Sequence, residues 1–283
     1  NTTTHGNVSI GHSAGYGVRG SDNISIGATS GPANSCTNTV NNIFIGSCTG
    51  FAVTSAFNNI FMGTCAGANT GIGTENTFIG SCAGLCNTDG CKNVFIGFNA
   101  GKCHTTGVVN IAIGPDAGCC LKTGNTNTVT GNASGKHLCS GSGNTLYGNN
   151  TGCGLTTGGC NTVVGRDAGK QLSSGSHNNI FGHFAGCKLV SGSSNLLMGN
   201  CAGYCLCGNN NVMLGQSSGF HRSGTKYKNN VLVGPSAGSK AGTLDVGNFD
   251  VLIGHNAGCN YTGSCSIGIG HSVCLPIADG QNQ

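Results

Sequence analysis

The chain has 283 residues, of which 53 are glycine and only 7 % are charged; it carries a formal net charge of +4, four prolines and no tryptophan. Scarce Glu, Lys and Gln argue against a helical protein, and glycine without an every-third rhythm, beside so little proline, excludes collagen. A hydrophobic content of 37 % with low net charge does not fit disorder, no apolar run reaches the ~18 residues of a membrane-crossing helix, and the scattered Lys and Arg form no basic run suited to nucleic acid.

The first residues show neither Met nor a signal peptide, which reads as a processed chain or a segment of a longer one. A repeat begins almost at once. The pattern Asn-x-x-x-Gly-x-x-x-Gly starts at Asn7, Asn23, Asn42 and Asn59, and continues to Asn230 with degenerate copies at Asp250 and Ser266, sixteen in all. From Asn42 to Asn195 the spacing is 17 residues nine times running. The whole chain, 1–283, thus reads as a single repeat domain, with regular coils over 42–210 and irregular coils over 1–41 and 211–283.

Each copy is described by position from its anchor Asn, taken as zero. Gly follows at +4 in all sixteen copies and at +8 in fifteen. Position +7 is small, and a third Gly stands at +14 in eight consecutive copies, Gly73 to Gly192. A period of 17 is too short for the common helical repeats and fits one coil of a β-solenoid. The fold class is therefore all-β: a parallel β-solenoid, or β-roll, of about sixteen 17-residue coils. Each coil is expected to hold a strand at +1 to +3, a Gly-marked corner at +4 to +8, a second strand near +9 to +11 and a turn ending at +14. Stacking would place the anchor Asn side chains in an amide ladder; Asn also favours the turn before a strand, and the two readings are compatible.

In a strand, +1 and +3 share one face and +2 points the other way. If +1 and +3 fill the coil, +2 faces out and should be polar. It is apolar in thirteen consecutive coils, among them Phe44, Phe61, Phe78, Phe95, Val129, Leu146, Val163, Ile180 and Leu197. Such a stripe must be covered. A second layer of the same chain is one cover, but 17 residues leave little chain for it. The alternative, which this reading prefers, is identical chains around a three-fold axis, with the +2 column as subunit interface. A second apolar column stands at +11, Leu in six consecutive coils from Leu121 to Leu206.

The motif N-x-x-I-G-x-x-A-G, with its Thr105-Thr106-Gly107 and Thr156-Thr157-Gly158 turns, resembles two related groups. One is the left-handed β-roll head of trimeric autotransporter adhesins; the other is the repeat-rich shaft of phage-type tail-fibre proteins. The resemblance spans Asn7 to about Cys274. It implies a homotrimeric fibre, extracellular, on a cell surface or on a virion. Adhesin-head repeats are usually shorter and poor in Cys, and no anchor, stalk or chaperone domain is seen here.

The nineteen cysteines contain no C-x-x-C and fall in the repeat's columns. Cys48, Cys65, Cys82 and Cys201 share +6. Cys86 with Cys91, Cys153 with Cys160, and Cys259 with Cys265 flank a glycine turn, and Cys48 stacks over Cys65; each spacing suits the disulfide window. A disulfide-stapled fibre in an oxidising compartment is expected, the alternative being thiols that serve as small apolar residues. The nine histidines, His104 among them, show no i, i+4 pair and are read as sharing no column, so metal and cofactor are expected to be absent. No carboxylate pair or phosphate loop suggests an enzyme. Of the Asn-x-Ser/Thr triplets, Asn132, Asn149 and Asn260 are not anchors and are the glycosylation candidates.

These features together read as a structural fibre or adhesive head that self-associates as a homotrimer or filament. It would meet a cell-surface receptor or glycan through the loops at +9 to +13 or the coils near 204–250, without nucleic acid or membrane insertion. Rivals are a head-to-tail filament of stacked solenoids and an ice-binding solenoid, which needs an unbroken Thr-x-Thr array.

Overall fold

The computed structural model describes residues 5–33, 38–220, 228–239, 248–258 and 264–273. The chain divides into two compact units, residues 1–142 and 143–283. The first contains β1 (Val8–Ile10), β2 (Ile24–Ile26), β3 (Ile43–Ile45), β4 (Ile60–Met62), β5 (Thr77–Ile79), β6 (Val94–Ile96), β7 (Ile111–Ile113) and β8 (Thr128–Thr130). The second contains β9 (Thr145–Tyr147), β10 (Thr162–Val164), β11 (Asn179–Phe181), β12 (Leu196–Met198), β13 (Val212–Leu214), β14 (Val231–Val233), β15 (Val251–Ile253) and β16 (Ile267–Ile269). Every strand occupies +1 to +3. Within each unit successive strands pair in parallel with the register of one coil, as in Phe61↔Phe78 and Phe78↔Phe95, or Val163↔Ile180 and Ile180↔Leu197.

The expected second strand does not form. Positions +9 and +10 lie mostly in turns and +11 mostly in irregular chain, although the backbone there still bonds from coil to coil. The Cys86 amide donates to the Lys102 carbonyl at 2.9 Å, and Thr105 donates to Lys122 at 3.0 Å. Much of the coil perimeter is thus hydrogen-bonded without strand geometry, which answers the requirement that buried peptide groups be paired.

Left-handed residues bend the coil. Positions −1, +6 and +8 have positive φ in coil after coil: Lys92 (60°), Asn99 (55°) and Gly101 (56°) around β6, for example. Only Gly suits +4, where Gly80 has φ 131° and an added Cβ would stand 2.5 Å from the carbonyl oxygen of Gly97 in the next coil. At +8 a Cβ on Gly84 would come 2.5 Å from the Phe78 ring.

These bends fold the chain back over the +2 face of the strand, so the assignment of faces is the reverse of the one expected. Phe44, Phe61, Phe78, Phe95, Val129, Leu146, Val163, Ile180 and Leu197 all have 0 % exposure within a single chain. They form the solenoid's core and cannot be a subunit interface. The cover is the chain's own second layer, supplied by Ala66, Ala83 and Ala100 at +7 and by Leu121, Leu138 and Leu155 at +11, all buried. Phe61, Phe78 and Phe95 stack with centroids 4.9 Å apart and planes 5° apart. The anchor column runs alongside. The backbone and side-chain amides of Asn93 both donate to Oδ1 of Asn76, at 3.0 and 3.2 Å, and Nδ2 also donates to the Gly107 carbonyl at 3.0 Å. Asn178 repeats the arrangement in the second unit, with Asn161 and Gly192. An anchor must offer two donors and a doubly accepting oxygen, and Asn does so.

Candidate functional site

With +2 inside, +1 and +3 face outward. In the first unit the twelve outward positions of β2 to β7 are Ile, Val or Met at all but Thr77. They are half-buried by their neighbours or exposed; Ile111 and Ile113 are 39 % and 38 % exposed. The result is a contiguous apolar sheet surface on which no carboxylate or ammonium stands, of the kind that marks an association site. The second unit mixes polar groups into the same columns: Thr145, Tyr147, Thr162 and Asn179 stand beside Leu196 and Met198. Thr128 and Thr130 are the one outward Thr-x-Thr pair among the described strands, so the array that ice binding requires is not formed.

The thiols line the corners. Among the described residues no disulfide is present, and Cys48, Cys65, Cys86, Cys91, Cys160 and Cys265 carry free thiols. The expected Cys86–Cys91 staple fails because the two point to different partners. Burial raises the Cys86 thiol, with the Cys103 thiol of the next coil and the Cys82 thiol of its own coil nearby. Cys91 Sγ accepts from the Thr74 amide at 3.3 Å and its S–H donates to the Asp89 carbonyl at 3.3 Å. Cys160 sits exposed at the left-handed −1 position, at φ 57°, with its thiol unbridged to Cys153. Cys48 and Cys65 do lie one above the other, unbridged. Cys259 lies outside the described residues. Burial pushes the Cys119 thiol up to about 11, with Cys120, Cys103 and Asp116 adding to it; such a thiol is unreactive at neutral pH.

His104 and Asp250 are titratable groups held in the core. His104, at +11, is fully buried. Its Nδ1 faces Asn87 Oδ1 at 2.8 Å, and Asn87 Nδ2 donates to the Gly90 carbonyl at 3.2 Å. Nδ1 therefore carries the proton in the neutral ring. Burial lowers its pKa from 6.5 to about 4, opposed by the Gly107 backbone, and Nε2 makes no close hydrogen bond. Asp250 replaces Asn at position zero. Burial raises its carboxyl from 3.8 to about 6, against the Ser266 amide that donates to Oδ1 at 2.9 Å. Its Oδ2 is unpartnered.

One column was missed from the sequence. His12, His183, His255 and His271 all occupy +5, and the rings of His255 and His271 stack at 5.0 Å. Counting each His from its anchor would have revealed it. No group of three or more His, Cys, Asp or Glu is placed to hold a metal among the described residues. Asn132 and Asn149 are exposed, also at +5, while the hydroxyl residues of their triplets, Ser134 and Thr151, are buried; Asn260 lies outside the described residues. Near the region expected to meet a receptor, Tyr204 and Phe220 stack at 5.3 Å with Lys188 Nζ 5.3 Å from the Tyr204 ring.

Sixteen three-residue strands, paired in parallel within each unit and joined by left-handed corners, define the class: a parallel β-solenoid repeat protein. No protein-family model, curated protein or solved structure matches the chain.

Proposed function

We propose that this chain is a non-catalytic structural repeat of an extracellular, cell-surface or virion fibre, and that copies associate through the outward sheet face of the first unit. The observation that carries the reading is the near-unbroken Ile, Val and Met surface of β2 to β7. Side chains of that kind gain roughly 1.5–3 kcal/mol each on full burial, and here they remain partly open to water. The coil-to-coil bonds and the stacked core give stiffness, and among the described residues no three His, Cys, Asp or Glu are placed to hold a metal. Three copies is the number that the likeness to adhesin heads and tail-fibre shafts implies.

The test is mass photometry and negative-stain microscopy of the chain beside the double variant Ile45→Lys, Ile79→Lys. Wild type is expected to form discrete multimers and the variant monomers, with the same melting temperature within a few degrees. A monomeric, soluble wild type at micromolar concentration would refute the reading. A head-to-tail filament is the second reading, favoured by β1, all three residues of which are exposed. Growth into open filaments by both wild type and variant would select it.

A further inference from the structure

We propose that Cys48 and Cys65 form a reactive dithiol, in which Cys48 first attacks a low-molecular-weight disulfide and Cys65 then closes a Cys48–Cys65 bond between two consecutive coils. This goes beyond the fibre reading and does not depend on it.

The geometry is local to the first unit. Both residues occupy +6, a left-handed corner, with φ of 55° and 57°. The Cys65 amide donates to the Ser47 carbonyl at 2.9 Å, which fixes one corner directly over the other. Coils one strand spacing apart, about 4.8 Å, fall inside the disulfide Cα window of about 4.4–6.8 Å. Neither side chain is fully buried.

The surroundings of the two sulfurs differ. Thr29 Oγ1 lies 3.2 Å and Ser47 Oγ 3.6 Å from Cys48 Sγ, and the Cys65 thiol also hydrogen-bonds to it. In the thiol form Cys48 S–H donates to Thr29, whose own hydroxyl donates to the Ala28 carbonyl at 2.8 Å. When Cys48 ionises, Thr29 turns its proton to the sulfur. Hydrogen bonds, that from Thr29 first, thus lower the Cys48 pKa, whereas burial first and then the Cys48 and Cys82 charges raise that of Cys65. Thiolate character makes the nucleophile.

With glutathione disulfide as oxidant, the Cys48 thiolate attacks one sulfur. The Cys48–glutathione bond forms and a glutathione thiolate leaves. Cys65 then loses its proton to water, its sulfur attacks Cys48 Sγ, and the second glutathione thiolate departs. Two protein thiols are oxidised and one glutathione disulfide is reduced to two glutathione molecules. Cys82, next in the column with Ser81 Oγ at 3.8 Å, stands where it can exchange with the new bond.

The test exposes the full native chain to limiting glutathione disulfide, quenches with acid, alkylates and maps peptides by mass spectrometry. A Cys48–Cys65 cross-linked peptide is expected before any other. In separate runs with N-ethylmaleimide at pH 7, Cys48 should react about tenfold faster than the exposed Cys160. Cys65→Ser should accumulate the glutathione adduct on Cys48, and Cys48→Ser should leave Cys65 reduced. Should either variant misfold, the wild-type rates and first cross-link still decide. Equal rates at Cys48 and Cys160, or a first link between another pair, would overturn the proposal.

Discussion

The coils around Phe78 in the first unit and those around Leu172 in the second fill their interiors in opposite ways. From β3 to β6 the strand contributes a phenylalanine, and +11 across the coil is Val53, Thr70, Asn87 or His104. In the second unit the strand contributes the smaller Val163 or Ile180, and +11 is Leu172 or Leu189. Direct contact across the coil is seen where the Phe95 and His104 rings meet at 5.0 Å. A large residue on one wall therefore goes with a small or polar one on the other, because a close-packed interior of fixed width tolerates neither voids nor surplus volume. The difference has an electrostatic cost. The aromatic region carries a buried histidine, while the aliphatic region carries a buried carboxyl, Asp250, in the anchor column.

Breaking the aromatic wall should have the largest effect. Phe78→Ala removes the middle ring of a stacked trio and is expected to cost about 4 kcal/mol, measured by denaturant unfolding.

His104 and Asp250 should then separate the regions by pH. His104 has a folded pKa of about 4 against 6.5 ordinarily. The unfolded chain takes up the proton first, so stability is constant above pH 6.5 and falls as pH drops from there toward 4, by about 3 kcal/mol. His104→Leu should abolish that acid slope whatever it does to stability at neutral pH. Asp250 has the opposite sign. Its folded pKa is about 6 against 3.8 ordinarily, so the unfolded chain loses its proton first and stability falls as pH rises from 3.8 through 6. Asp250→Asn should remove that loss, gaining up to about 3 kcal/mol at pH 7, and should restore a side-chain amide donor toward Asn230. Melting temperatures of each variant between pH 4 and 8 check both.

Size complementarity itself is tested at the coil where the pattern changes over, Ala112 opposite Leu121. Ala112→Phe should overpack and cost about 2 kcal/mol. Adding Leu121→Thr recreates the aromatic arrangement, and the double variant should be more stable than additivity predicts by about 1–2 kcal/mol. The smallest effect is at a corner. Val109 holds φ 59° at −1, a β-branched residue in a region that favours Asn and Gly. Val109→Asn should stabilise by about 1 kcal/mol, read from the melting temperature.

Much of this molecule was legible in its residues. The spacing of Asn and Gly located every strand to the residue, from Ile24–Ile26 to Ile267–Ile269, and the anchor ladder followed from stacking. The second strand was not legible, since the coil bonds to its neighbours at Cys86 and Thr105 through turns and irregular chain. Nor were the disulfide pairs. The Cys columns show which thiols stack, but not that Cys91 turns to Thr74 and Asp89. The best clue to the buried face lay in uniformity: +2 is apolar in thirteen coils without a break, while +1 and +3 admit Thr77, Asn179 and Tyr147.

Sequence alone determined the period, the strand positions and the glycine corners, because those depend on local rules: which residues accept positive φ, and which can donate and accept along a stack. Only the tertiary structure decided which side of each strand is inside. A strand's two-residue alternation separates its faces without labelling them, and here both are apolar. The label comes from the left-handed turns at −1, +6 and +8, which swing Ala100 and His104 over Phe95 and leave Ile and Val to the surface.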